Sequence, residues 1–200
     1  SNLDAKLRVQ MRSELKRFHQ DLNATVVYVT HDQLEAVTMA DKMAVMQSGL
    51  LQQYDSPERV FTHPTNTFVA GFIGSPAMNL LETHVVGTAL EGPGGWRYEL
   101  SPINARKAMA ASERSIILGA RHSSITLHSQ EMPGSIASRV YTVEPTGDIT
   151  YAHVFLGGAS VVVSVPPDTR LRADETVWIE FDQAKLHLFD GVTQQALEAS

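Results

Sequence analysis

The chain has 200 residues, of which 43% are hydrophobic and 19% charged, and it contains no cysteine. This length and apolar content suit one large or two small globular domains, while the lack of cysteine excludes disulfides, thiolate metal sites and thiol nucleophiles. Sixteen basic residues against 22 acidic ones give a formal net charge of −6, which argues against a nucleic-acid partner. No apolar run approaches the roughly 18 residues that a membrane-spanning helix needs.

The first segment is predicted to be an amphipathic helix, because apolar residues recur at steps of three and four along it. These residues are Leu7, Met11, Leu15, Phe18 and Leu22. Asn2 or Asp4 can serve as the N-cap, and Asn23 lies where the helix should end.

The next run, TVVYVT at residues 25–30, is too short for a helix and rich in β-branched side chains. It shows little polar alternation, so we expect a strand buried on both faces, as in α/β sheets. His31 follows directly, and ligands of open α/β sheets bind where strands end. His31 is therefore a candidate site residue, although a helix cap or a purely structural histidine fits the same pattern.

Four short elements should follow. QLEAVTMADK has helical spacing, and MAVMQSGLLQQYD predicts two strands joined at Ser48 and Gly49. SPERVFTHP predicts a helix with Ser56 before it and Pro57 at its first position, and NTFVAGFIG predicts another short helix.

From about residue 80 the pattern changes to short β-rich runs separated by Gly, Pro and Asp clusters, with one helical stretch at 103–112. Such spacing is typical of a small antiparallel barrel or sandwich. Trp96 and Trp178 are expected in its core. Glycine-rich turns at 146–148 and 157–158 could offer backbone N–H groups to a small anion.

Several ordered motifs over residues 1–80 resemble the ATP-binding subunit of ABC importers of the maltose and glycerol-phosphate type. SNLDAKLR is similar to the D-loop of that family, THDQ-EA to its switch-histidine loop, and FVAGFIGSPAMN to the linker before its C-terminal β-domain. GAR followed by His122, and KLHLFD, resemble signatures of that β-domain, with His122 and Ser123 in place of the usual proline and glutamate.

The resemblance implies an α+β chain: residues 1–80 as the C-terminal part of an α/β ATPase core and residues 81–200 as a small antiparallel β-barrel, OB-like or TOBE-like, with a regulatory role. His31 would be the switch histidine. Ser1, Asn2, Leu3 and Asp4 would form the D-loop at the ATP dimer interface.

The resemblance also implies partners. ATP and Mg²⁺ would be cofactors of the full-length parent, with neither expected to bind tightly to this chain. The parent would be a homodimer on the cytoplasmic face of the cell membrane, bound to membrane-spanning importer subunits. A regulatory protein or small ligand could bind the β-domain.

Motifs that the family carries before its D-loop are missing, among them the phosphate-binding G-x-x-x-x-G-K-[ST] loop. We therefore expect a truncated ATPase that hydrolyses no ATP by itself, and we expect residues 1–50 either to swap between chains or to pair with another copy. No metal site is expected, because the eight histidines lack metal-ligand spacing. Two alternatives stay open: a stand-alone regulatory or dimerisation module, and a small-anion-binding β-domain.

Overall fold

The computed structural model describes residues 2–22 and 24–198, with residues 2–6, 8 and 22 described by their backbone only. Contacts divide the chain into two compact units, one ending at His63 and one beginning at Pro64.

The described residues of the first unit form three helices and one hairpin. Its elements are α1 (Asn2–Leu22), α2 (Gln33–Met39), β1 (Met43–Gln47), β2 (Leu50–Asp55) and α3 (Pro57–Thr62). Helix α1 begins at Asn2, so Asp4 lies in its first turn and not at the cap, while the expected end at Asn23 falls outside the described residues. Described members of the predicted apolar stripe, such as Met11 and Phe18, are exposed.

The predicted strand at 25–30 is wrong. Residues 24–30 form no strand, and Val27 and Val29 are 88% and 86% exposed. A strand buried on both faces needs neighbouring strands and covering helices, and within the described chain no strand pairs with this run. It therefore remains an extended segment with its apolar side chains exposed.

The hairpin and the helix after it match the prediction. Strands β1 and β2 pair antiparallel, and the turn places Ser48 and Gly49 at φ 48° and 81°, the left-handed region that a tight hairpin uses. Helix α3 has Ser56 as its N-cap, whose side chain accepts from the N–H of Arg59 at 3.3 Å. Val60 of this helix is fully buried.

The second unit contains two helices and ten strands among its described residues. The helices are α4 (Thr67–Phe72) and α5 (Pro102–Ala108). The strands are β3 (Asn79–Val86), β4 (Ala89–Glu91), β5 (Arg97–Glu99), β6 (Ser115–Ala120), β7 (Ile125–His128), β8 (Ile136–Pro145), β9 (Thr150–Leu156), β10 (Ala159–Val165), β11 (Thr176–Phe181) and β12 (His187–Asp190).

These strands form two five-stranded antiparallel sheets, in the orders β10-β9-β8-β11-β7 and β12-β6-β3-β4-β5. Alternate residues point inward, as in β9, where Ala152, Val154 and Leu156 are buried. One hydrophobic core takes side chains from both sheets. The expected α+β class with a small antiparallel β-barrel-like domain is confirmed.

Asn79 links the two sheets. Its side chain is 7% exposed, donates to the carbonyls of Ala120 (3.0 Å) and Val162 (2.9 Å), and accepts from the N–H of Val162 at 2.7 Å. Val162 lies on β10, an edge strand, so the amide of Asn79 pairs with this edge as a neighbouring strand would.

Helix α4 packs on the outer face of the second sheet. Ala70, Met78 and Phe189 form a small second core there. The structural division at 63/64 thus places α4 with the β-rich unit, whereas the domain boundary at 80/81 was drawn where the sequence pattern changes and stays a prediction.

The last described residues run back beside the beginning of this unit. Isolated bridges join Asn66 to Gln195 and Phe189 to Ala196, and the N–H of Ala196 donates to the carbonyl of Thr65 at 2.9 Å. Residues 65–66 and 195–196 therefore lie next to each other.

Candidate functional site

The candidate site begins at His31, which lies between the extended segment 24–30 and helix α2. Its side chain is exposed, and it makes no hydrogen bond to residues 2–22 or 24–198. An exposed imidazole at this position can donate to, or accept from, a group that approaches from solvent.

The start of α2 is determined by Asp32. This residue has extended backbone angles (φ −87°, ψ 110°), and its Oδ1 accepts from the N–H groups of Leu34 (2.9 Å) and Glu35 (3.2 Å). A capping carboxylate satisfies donors that have no partner within the helix, so α2 begins directly after Asp32. The cap role that the sequence left open for His31 belongs to Asp32.

Hydrogen bonds hold the residues on both sides of His31. The N–H of Asp32 donates to Oγ1 of Thr30 at 2.9 Å, and that hydroxyl donates to Oε2 of Glu35 at 2.7 Å. The hydroxyl of Tyr28 donates to the same Glu35 oxygen at 3.2 Å. This bond and the negative charge of Glu35 raise the pKa of Tyr28 above its ordinary value.

Thr30 and Glu35 were not among the site residues predicted from the sequence. A signal was present, because Asp32 and Glu35 have the D-x-x-E spacing of a capping box, in which the acidic residue three positions after the cap reaches back. In this chain Glu35 reaches back to the Thr30 hydroxyl.

The predicted D-loop residues cannot be compared with His31. Ser1 lies outside the described residues, and Asn2, Leu3 and Asp4 are described by their backbone only, which forms the first turn of α1. Their role at an ATP interface stays a prediction.

In the β-rich unit, Trp96 is buried as expected and Trp178 is partly buried. The turn at 157–158 is packed on one side, because a Cβ at Gly157 would lie 1.8 Å from the carbonyl oxygen of Pro93. At 146–148 the hydroxyl of Thr146 donates to the carbonyl of Ile149 at 2.7 Å. Neither turn has been tested for anion binding, so that alternative stays a prediction.

The arginine of the GAR signature connects α4 to the barrel. Arg121 is 5% exposed and donates from Nη1 to the carbonyls of Ala70 and Ile73, at the end of α4. Burial lowers its pKa to about 10. The neighbouring His122 packs edge-on to Tyr151, and burial, followed by the charge of Arg121, lowers the pKa of His122.

Comparison with known proteins covers nearly the whole chain. It is 38% identical over 197 residues to the sulfoquinovosyl glycerol transport ATP-binding protein SmoE of Agrobacterium fabrum, a match covering 98% of this chain and 55% of that protein. It is 41% identical over 204 residues to the trehalose/maltose import ATP-binding protein MalK of Thermococcus litoralis, with the same coverages. The chain is homologous to ATP-binding subunits of ABC transporters. The resemblance inferred from its motifs is thereby confirmed.

The match is to part of those proteins, since the chain spans about half the length of the curated relatives it matches. A model of the TOBE domain matches residues 120–189, which run from the end of β6 into β12. The solved structure of the molybdate-binding protein ModG has a TM-score of 0.47 and 12% identity, covers 55% of this chain, and supports no inference. No helix within residues 2–22 and 24–198 is long and apolar enough to cross a bilayer.

Proposed function

We propose that this chain is the C-terminal portion of the ATP-hydrolysing subunit of an ABC importer for sugars or for sugar or glycerol phosphates. The observation that carries the proposal is the homology over 98% of the chain to ATP-binding proteins of sugar transport. The exposed His31, held at the start of a helix inside the THDQ-EA motif, supports it.

The chain's own contribution to hydrolysis would be His31. When bound, ATP with Mg²⁺ supplies the phosphoryl group that is transferred. An imidazole N–H of His31 would donate to the γ-phosphate and help to hold the attacking water, since phosphoryl transfer depends on positioned donors that stabilise the developing charge. The exposure of His31 and its lack of a hydrogen bond within the described chain fit this role.

Ser1, Asn2, Leu3 and Asp4 would complete the arrangement as the D-loop that couples two ATP sites across a homodimer. The dimer would lie at the cytoplasmic face of the membrane and drive membrane-spanning importer subunits. The β-rich unit, with its TOBE match, would serve dimerisation and regulation.

The first test is the DNA upstream of this chain. The proposal expects an open frame that encodes a G-x-x-x-x-G-K-[ST] loop, because phosphate binding needs its backbone N–H groups and lysine. A stop codon directly upstream would refute the proposal and favour the stand-alone module.

The second test measures ATP hydrolysis by the full-length product of that frame. His31→Ala should lower kcat about 100-fold or more, as expected for loss of one donor to transition-state charge. His84→Ala is the matched control, because His84 is an exposed histidine on β3 of the other unit. Undiminished hydrolysis by the His31 variant would contradict the assignment.

The transported class is tested by deleting the gene and measuring uptake. Loss of uptake of a sugar, a sugar phosphate or a glycerol phosphate is expected, with amino-acid uptake unchanged. Loss of amino-acid uptake alone would contradict the proposed class.

A further inference from the structure

The hydrogen bonds around His31 anchor both of its chain neighbours. Thr30 is held through its hydroxyl, which accepts from the N–H of Asp32 at 2.9 Å and donates to Glu35 at 2.7 Å. Asp32 is held through its carboxylate, which caps α2. The exposed His31 is thus the single residue between two fixed positions.

The hydrogen bonds of Thr30 and Asp32 matter because residues 24–30, which precede His31, pack against little else. Residues 24–30 pair with no strand in the described part of the chain, and their apolar side chains from Val26 to Val29 are exposed. Glu35 is partly buried on the first turn of α2 and receives two hydroxyl groups, those of Thr30 and Tyr28. It therefore joins the end of the segment to the helix.

We infer that Thr30 and Glu35 are positioning residues for His31, acting through the relay Asp32 N–H, Thr30 hydroxyl and Glu35 carboxylate. This inference rests on the proposed function, in which His31 touches the γ-phosphate. The relay holds the imidazole in place before the reaction. The entropy cost of orienting it is therefore not added to the activation barrier. Thr30 and Glu35 touch no reacting atom themselves.

The test uses the full-length subunit and measures kcat and KM for ATP separately. Thr30→Val has nearly the same shape but cannot form either hydrogen bond, and it should lower kcat about 10- to 100-fold, as displacement of a catalytic group does, with KM little changed. Thr30→Ser keeps the hydroxyl and should retain most of the rate. A Thr30→Val enzyme with normal kcat would overturn the inference.

Glu35 provides a second pair of variants in case the Thr30→Val protein is unstable. Glu35→Ala should lower kcat in the same way, whereas Glu35→Gln keeps an oxygen that accepts from Thr30 and should retain most of the rate. Equal losses in the Ala and Gln variants would overturn the relay, because the accepting oxygen would then not be what matters.

His31→Ala, measured in parallel, separates the two hypotheses. If His31→Ala is inactive and Thr30→Val is normal, the relay is refuted and the proposed function stands. If His31→Ala is normal, the catalytic role proposed for His31 fails and the relay fails with it, while ATP hydrolysis by the full-length subunit would still stand.

A spectroscopic measurement on the 200-residue chain reports the geometry without catalysis. Glu35→Gln should lower the pKa of the Tyr28 phenol towards its ordinary value, because the carboxylate that raises it is gone. Ultraviolet titration, with Tyr28→Phe subtracted to identify the signal, measures this shift. An unchanged Tyr28 titration would refute the contact between Tyr28 and Glu35, and the relay would then rest on the kinetics of the Thr30 and Glu35 variants.

Discussion

Replacing Asn79 by leucine should separate the two sheets of the β-rich unit at one point. The leucine side chain has a similar size but cannot form the three hydrogen bonds that Asn79 makes to Ala120 and Val162. At about 1 kcal/mol net for each bond, the free energy of unfolding should fall by about 3 kcal/mol. The backbone groups left without partners can raise that cost where water does not reach them.

Urea unfolding followed by tryptophan fluorescence measures this change cleanly, since Trp96 and Trp178 both lie in the β-rich unit. With a slope of about 1–3 kcal/mol per molar urea, the midpoint should fall by about 1–3 M. Ser160→Ala, an exposed change on the same strand as Val162, is the control and should stay within about 0.5 kcal/mol of the parent.

Asn79→Asp tests the same link through the pH dependence of the free energy of unfolding. An ionised carboxylate would face the carbonyl oxygens of Ala120 and Val162, so folding should raise its pKa above the unfolded value of about 3.9. The deficit relative to the parent should therefore shrink as the pH falls through that raised pKa. An Asn79→Leu midpoint within error of the parent would refute the reasoning about the sheet link.

Three further predictions concern other parts of the chain. Backbone N–H donors lower the pKa of Asp190, so the ionised carboxylate should stabilise the fold at neutral pH and lose this effect in acid. The difference in urea midpoint between the parent and Asp190→Asn should narrow below about pH 4, and a difference that stays constant with pH would contradict this. Gly157→Ala should cost more stability than Gly87→Ala, because both glycines have positive φ but only Gly157 has a backbone carbonyl within 1.8 Å of the new Cβ; equal melting temperatures would contradict it. The isolated chain should self-associate in sedimentation and bind an apolar dye through the exposed apolar side chains of residues 24–30. The double variant Val27→Asp, Val29→Asp should reduce both self-association and dye binding, and a monomeric parent that binds no dye would contradict this.

Elements whose signals are local could be predicted from the sequence. The Ser48 and Gly49 turn, the Ser56 cap followed by Pro57, and the alternating strands after residue 80 each carry their information within a few residues. Turn conformation and helix capping are decided by short-range sterics and hydrogen bonds, so no distant partner is needed.

The strand at 25–30 could not be predicted correctly, because its formation depends on partners and not on its own composition. Links across the fold were missed for the same reason. Nothing local marks Asn79 as the residue that binds the edge of β10, or Arg121 as the one that binds the end of α4.

The candidate site lies between these cases. His31 lies directly before the capping residue of a helix, where the motif predicts it, and the Asp32 to Glu35 spacing indicated the cap and the acidic residue that reaches back. The Thr30 hydroxyl that Glu35 accepts from lies outside that spacing. The D-loop residues carry no described side chains, so their part of the site rests on sequence alone.

The antiparallel bridge between Asn66 and Gln195, and the hydrogen bond from the N–H of Ala196 to the carbonyl of Thr65, have a topological consequence. Because residues 65–66 and 195–196 lie side by side, a short peptide could join these two positions and new termini could be opened in an exposed turn elsewhere. The β-rich unit is thus a candidate for circular permutation. Its proximal ends would also let it be inserted into a loop of another protein without forcing that loop apart.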